Sequence, residues 1–428
     1  MTEETRPKQT FRSIVTRLCE EALAEETSLN PPVAHFYKAG VTISLNRKGS
    51  ALFREIVAEL QKTKENRINF SKKELEHEVV TTIFEGTEAL QNGTFDADRI
   101  VSSLLERLQE GSVIWQIYLP VAGLELPDRC ELSLAGGVVK SFNADEKEAL
   151  ENECLTIWNQ VQWEPPDRKE PGIASLVQKL NEAVACSKFW YHIQLVGHAE
   201  AAKNQAIDAA MVALDILTFF ARLNAIDPET FACRLLNRPG PSSSEYIAIS
   251  NKLSCTIGSE VGLPLPYTLD MERVEKMTSQ PEFLKLQAIS CKPNPTQVEQ
   301  KFLLGIQQYA EATRLPSLGL RLVWYISALE TVLAKEGEGD RHKKVEKRVR
   351  KLLGEAAAKT VVPLYDKRRK PVHYGYRNRV GNEFISDVDI HVARDLAYSG
   401  IVSALSYEGN VAEHDSFLDY IDGLPNPL

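Results

Sequence analysis

The feature that most constrains this chain is a change of rhythm at Cys291-Lys-Pro-Asn-Pro-Thr296. Two prolines in four residues stop any preceding element. From there to the C-terminus, apolar residues recur at helical spacing. Gln297 to Arg314 reads as one helix, ending before Pro316, and Leu318 to Lys335 as a second with Leu322, Ile326, Leu329 and Leu333 on one face. Asp340 is placed to cap a third, whose buried stripe is Val345, Val349, Leu352 and Leu353 with lysines and arginines opposite. A fourth carries Arg368, and Ser386-Asp-Val-Asp389 caps a fifth that runs to about Glu408. Short connections favour antiparallel neighbours, so residues 297–428 are expected to form an all-α helical bundle.

The preceding region mixes both periods. Residues 1–110 read as mainly helical. The first thirty residues carry a stripe of Phe11, Ile14, Val15, Leu18 and Leu23, Ser71-Lys-Lys-Glu74 has the form of a capping box, and a helix follows from Asp96 to Glu110. Residues 111–292 read as an α+β domain. Short β-type runs at Val113–Leu119, Leu124–Leu134 and Gly137–Phe142 precede a helix from Asp145 to Gln162, a strand at Phe189–Val196 and a long helix from Glu200 to Leu223. Tyr246–Leu253 and Phe283–Ile289 are further strand candidates. The fold class expected is therefore α+β, a mixed N-terminal region followed by the helical bundle.

Charge is distributed unevenly. The chain carries a formal net charge of −9, yet residues 341–380 hold fourteen Lys or Arg against Glu346, Glu355 and Asp366, a local +11, which leaves −20 for the remainder. A basic block in acidic surroundings points to a confined polyanion site rather than a non-specific coat. Seven scattered cysteines show no metal-ligand or disulfide spacing and read as reduced thiols. The opening MTEETRPKQTFRSIV lacks the basic and apolar parts of a secretory signal. The longest apolar run, Ala209 to Leu223, is interrupted by Asp215 and Arg222. A cytoplasmic protein without a membrane span is expected. No phosphate-binding Gly-rich loop, dinucleotide fingerprint or nucleophile elbow is present, so no cofactor is expected.

The segment Leu364-Tyr-Asp-Lys-Arg-Arg-Lys-Pro-Val-His-Tyr-Gly375 carries the most chemistry. Arg368 and His373 are five positions apart, about 140° around a straight helix, so the helix must end or bend between them for both to reach one phosphate. Pro371 is the residue able to do that. An imidazole can take the proton of a ribose 2′-OH or give one to the leaving 5′-oxygen, and a guanidinium stabilises charge on phosphorus. The 2′-OH is itself the nucleophile, so neither a metal nor a protein nucleophile is needed. In the basic helix, Lys343, Lys344, Lys347, Arg348, Arg350 and Lys351, together with Arg369, are the residues expected to hold an RNA backbone. His192 and His198 have no partner at metal-ligand spacing, and His342, although within reach of a phosphate, reads first as a solvated side chain.

The arginine, four residues, histidine arrangement in LYDKRRKPVHYG, preceded by YISALETVL at Tyr325–Leu333 and by HKKVEKRVRKLLG, resembles the HEPN superfamily (higher eukaryotes and prokaryotes nucleotide-binding), in its ApeA-like branch. The resemblance spans about residues 297–410. Upstream, IYLPVAGLELPDRCELSLAGGVV more loosely resembles the β-rich segment preceding such domains. The resemblance implies a metal-independent endoribonuclease of host defence or a toxin system, with Arg368 and His373 as motif residues and Glu330 at an acidic position near the cleft. It also implies a homodimer with a composite site, an RNA substrate such as tRNA, and a phage-derived trigger. Arg369 and Pro371 depart from the family pattern. The contrasting expectation is a catalytically silent bundle used for dimerisation or RNA binding.

Overall fold

A computed structural model describes residues 5–23, 33–38, 41–62, 70–110, 113–127, 130–141, 189–197, 199–221, 233–235, 245–249, 255–259, 267–315, 317–374, 379–380, 383–407 and 411–427, with five positions between 145 and 152. Helices and small sheets both occur, and helix dominates. The chain divides into two compact units, residues 1–117 with 194–207, and residues 118–193 with 208–428.

The first unit is built on helices α1 (Thr5–Leu23), α2 (Arg47–Lys62), α3 (Lys72–Gln91) and α4 (Ala97–Glu110), with an antiparallel hairpin β1 (Ala34–Lys38) and β2 (Val41–Leu45). The hairpin and α2 occupy a stretch for which the sequence had suggested no element. Ser71 and Glu74 form the expected capping box at the start of α3. Leu18, Cys19, Leu45, Ile56, Leu75, Ile83 and Leu104 meet in one core, and burial pushes the Cys19 thiol up to about 12, so it is inert apolar filling. Arg107 joins α4 to α3, reaching Glu78 at 2.9 Å, Glu85 at 2.8 Å and the Thr82 hydroxyl at 2.8 Å.

A five-stranded sheet, of which residues 113–117 and 194–197 fall in the first unit and the rest in the second, has the order β5 (Glu131–Leu134), β6 (Gly137–Ser141), β7 (Phe189–Gly197), β3 (Val113–Ala122), β8 (Arg234–Leu235). The runs at 113–119, 124–134 and 137–142 do not form a meander of consecutive neighbours: β5 and β6 make an antiparallel hairpin, β6 pairs antiparallel with β7, β3 pairs antiparallel with β8, and Leu124–Leu134 is not one strand. Strand β4 (Leu124–Glu125) pairs in parallel with β11 (Tyr267–Thr268), and β9 (Glu245–Ile249) pairs antiparallel with β10 (Cys255–Ser259). The expected helix from Asp145 to Gln162 lies almost entirely outside the described residues. A long apolar helix, α5 (Ala199–Ala221), follows β7. By length and composition its Ala201–Ala221 stretch is the single helix among the described residues that could cross a membrane. Its Phe219, however, packs edge-on against Tyr309 and tilted against Tyr398, its Phe220 packs edge-on against Phe283, and Asp215 within it pairs with Arg314 at 2.7 Å, the contacts of a core helix.

One expectation is overturned between α5 and the bundle. Phe283–Ile289 is not a strand; helix α6 (Met271–Thr278) leads into helix α7 (Pro281–Ser290). Phe283, Leu286 and Ile289 are its buried residues, a three-residue spacing that only a helix places on one side, and Pro281 sits in its first turn where no amide is required. From α7, Gln287 bonds the Ser133 carbonyl at 2.6 Å and Lys285 the Leu405 carbonyl at 2.8 Å.

The C-terminal helices follow the predicted sequence closely: α8 (Gln297–Arg314), α9 (Leu318–Leu333), α10 (Arg341–Leu353), α11 (Glu355–Tyr374) and α12 (Asp387–Leu405), with a sixth, α13 (His414–Gly423), that the periodicity did not single out. Capping boxes Thr296/Glu299 and Ser386/Asp389 start α8 and α12. A small hairpin, β12 (Arg379–Val380) with β13 (Glu383–Phe384), separates α11 from α12. Helix α9 is central, packed between α8 and α12 and touching α11. Two glycines permit this. A Cβ at Gly305 of α8 would stand 2.8 Å from Val332 Cγ2, and one at Gly400 of α12 would stand 2.6 Å from Leu329 Cδ1.

Candidate active-site cleft

Helices α9, α10 and α11 enclose a cavity of about 300 Å³ lined by Glu330, Asp340, Arg341, His342, Tyr365, Arg368 and Arg369. Glu330 comes from α9, the next three from the start of α10, and the last three from α11. The predicted pair of Glu330 and Arg368 is thus brought together, with Arg368 Nη1 2.7 Å from Glu330 Oε2. Arg368 Nη2 lies 3.5 Å from the Ser327 hydroxyl, and its guanidinium stands 5.7 Å from the ring centre of Tyr365, its neighbour one helical turn earlier. A guanidinium has five N–H donors, so contacts to one carboxylate and, at the limit of reach, one hydroxyl leave it able to take an anion. Its side chain keeps 22% of its surface exposed while Glu330 keeps 11%, so the anchor is deeper than the working group.

The Tyr365 side chain is buried in the cleft wall, its hydroxyl directed to the Glu330 carboxylate. Burial first, then the negative charge of Glu330, push its pKa strongly upward, so it keeps its proton and remains a donor.

His373 is located less completely. Helix α11 does not end at Pro371, as the Arg–His spacing required unless it bends; it continues to Tyr374. On an uninterrupted helix positions 368 and 373 are about 140° apart around the axis. The side chain of His373 lies outside the described residues.

The basic helix α10 divides into three groups. Arg348, expected on an RNA-binding face, is instead buried, and that expectation is corrected. It is 1% exposed, donates to Glu338 at 2.8 and 3.0 Å, to Asp422 at 3.1 Å and to the Leu333 carbonyl at 2.8 Å, and so closes α10 onto α9 and α13. Position 348 falls on the stripe of Val345 and Val349, and that spacing was the signal available in the sequence. Arg350 is held by Glu346 and Glu355, both at 2.6 Å, Lys347 lies 3.3 Å from Asp422, and Lys343 lies 3.3 Å from Asp340. Lys344 and Lys351 form no ion pair among the described residues, and Arg369 is exposed, 4.0 Å from Asp366.

Sequence reasoning left Arg341, His342 and Tyr365 outside the site. They enter it only because α10 packs along α11, a contact no spacing reveals. The His342 ring lies 6.1 Å from that of Tyr365. No protein-family model matches the chain, and neither a curated protein nor a solved structure matches it.

Proposed function

We propose that this protein is a HEPN-type endoribonuclease that cleaves RNA by attack of a ribose 2′-OH on the adjacent phosphorus, with Arg368 and His373 as catalytic residues. The observation that carries this reading is the cationic cleft around an anchored arginine: Arg368 held by Glu330 at 2.7 Å, with Arg341, His342 and Arg369 about the same cavity. In the proposed step the 2′-oxygen forms a bond to phosphorus and loses its proton to an imidazole. The bond to the 5′-oxygen breaks and that oxygen is protonated, leaving a 2′,3′-cyclic phosphate and a 5′-OH. Arg368 neutralises the charge that builds on the non-bridging oxygens, and Glu330 acts through Arg368 as a positioning residue. Lys343, Lys344 and Lys351 are proposed to attract the RNA backbone. A homodimer, in which two copies contribute imidazoles to one cleft, would supply a base and an acid on opposite sides of phosphorus.

The test is incubation of the purified chain with total tRNA and with bulk RNA in the presence of EDTA, with the product ends analysed and the mass in solution measured alongside. Expected are cyclic-phosphate ends, activity that survives chelation, and a dimer. Activity lost on chelation and restored by a divalent ion would overturn the mechanism, and a fully active monomer would overturn the composite site. A second reading, an RNA-binding scaffold without cleavage, is favoured by the continuation of α11 through Pro371, which sets residues 368 and 373 on different sides of the helix. Under that reading tRNA binds and is never cut.

A further inference from the structure

Of the seven side chains around the cleft, two can accept a proton only by giving up a partner, and four cannot accept one at all. Glu330 is taken by Arg368 at 2.7 Å and by the Tyr365 hydroxyl, and Asp340 by Lys343 at 3.3 Å. Guanidinium groups do not lose their charge in proteins, which removes Arg341, Arg368 and Arg369. Tyr365 keeps its proton, because burial and then the charge of Glu330 hold its pKa far above neutral. These groups suit the oxygens of a phosphate. What they leave unprovided is a base, and attack by a 2′-OH needs one.

The seventh side chain is His342. It is half-buried, and no hydrogen bond or ion pair holds its ring nitrogens among the described residues. Its ring lies 6.1 Å from that of Tyr365, and the Arg368 guanidinium stands 5.7 Å from the centre of the same ring. The imidazole and the guanidinium are therefore neighbours of one aromatic ring, and both line one cavity of about 300 Å³, a size that holds a small ligand. In-line displacement at phosphorus benefits from a base on one side and an acid on the other. On the uninterrupted α11, positions 368 and 373 fall about 140° apart, so the motif histidine belongs to a different side of that helix from Arg368. The cavity side needs its proton acceptor from another element, and α10 brings one.

We propose that His342 is a further catalytic residue of this cleft, the general base that takes the proton of the attacking 2′-OH while Arg368 holds the phosphate. The substrate class rests on the ribonuclease reading. As the 2′-oxygen bonds to phosphorus, its proton passes to the ring nitrogen of His342 that carries no hydrogen. The bond to the 5′-oxygen breaks, and that oxygen leaves with a proton from the imidazolium of His373. Water then returns the proton from His342 to His373, and both rings regain their starting states.

The experiment uses the full chain, total tRNA as substrate and EDTA throughout, with initial rates measured from about pH 5 to pH 9. Wild type is compared with His342→Ala and with His342→Gln, which keeps a polar side chain but takes no proton, and thermal unfolding of each checks that the fold persists. Wild-type kcat is expected to fall in acid, as the base becomes protonated. Both variants are expected to lose about 10²–10⁴-fold in kcat with KM within about two-fold, and to lose that acid limb. Free imidazole is expected to restore rate to His342→Ala in proportion to its concentration. Wild-type rates in either variant overturn the base and leave the ribonuclease reading intact. So does a loss that imidazole does not restore and that leaves the acid limb in place. Transfer RNA that the wild type never cuts overturns both.

Discussion

Two arginines on successive helices, Arg348 of α10 and Arg368 of α11, are treated in opposite ways by the same bundle. Arg348 is sealed: it has two bonds to Glu338, one to Asp422 and one to a main-chain carbonyl. Arg368 is tethered: one carboxylate holds one end of its guanidinium, and the rest stays open to a cavity. Both are cations near acids, and composition cannot separate them. What separates them is how many donors remain after folding. An arginine whose fork is filled by protein is part of the frame, and one whose fork is half-empty is available to a ligand.

The comparison is most directly broken at Arg348. Its replacement by alanine leaves Glu338 and Asp422 without their cation in a nearly dry setting, and a loss of about 3–5 kcal/mol is expected, read from denaturant unfolding. A loss below about 1 kcal/mol would mean that the knot is ornamental. For Arg368 the expected effect is on chemistry. Arg368→Lys keeps a positive charge beside Glu330 but removes the planar fork, so the fold should survive while RNA cleavage falls about 10²–10³-fold. Full activity in that variant would remove Arg368 from the mechanism.

The acid limb of stability sharpens the contrast. Burial alone would raise the Glu338 carboxyl, but its bonds from Arg348 and from the Lys335 amide outweigh burial and hold it below the usual range. A carboxyl with a lower pKa in the folded state adds stability that is complete above its unfolded value and is lost as pH falls through the folded one. Wild type should therefore weaken steeply on acidification through and below the ordinary carboxylate range. Glu338→Gln should be weaker at neutral pH and flatter in acid; parallel pH curves for the two would refute the linkage. The smallest effect is expected at the surface. Neutralising Lys343 and Lys344 together should lower the salt dependence of RNA binding by about two counterions and leave cleavage sites unchanged. An altered cleavage pattern with an unchanged salt slope would show that these lysines read sequence.

Much of the bundle was legible because its ends are marked chemically. The prolines at 293 and 295, and Ser386 with Asp389, fixed the starts of α8 and α12 to the residue, and Pro316 bounded the first of these. Where such marks were missing, reading failed. The short apolar run Phe283–Ile289 suits either period, and only its burial at every third residue decided for helix. The site divides in the same way. Glu330 and Arg368 were named from their local context and lie together. Arg341, His342 and Tyr365 joined them through the packing of α10 against α11, which is tertiary and leaves no local trace. Arg348 was misassigned because it was grouped by charge, although its position one turn from Val345 placed it with the apolar stripe.

The two glycines beside α9 carry a consequence beyond packing. Val332 and Leu329, the side chains that Gly305 and Gly400 admit, flank Glu330 on the same helix. The distance between backbones there works as a gauge block for the tether on Arg368. A methyl group at either glycine would act as a shim, meeting a side-chain carbon of α9 closer than 3.0 Å so that something beside the carboxylate must shift. Alignment of the cleft is thus adjustable from the far side of the helix, and a variant could detune the site while every residue lining it stays the same.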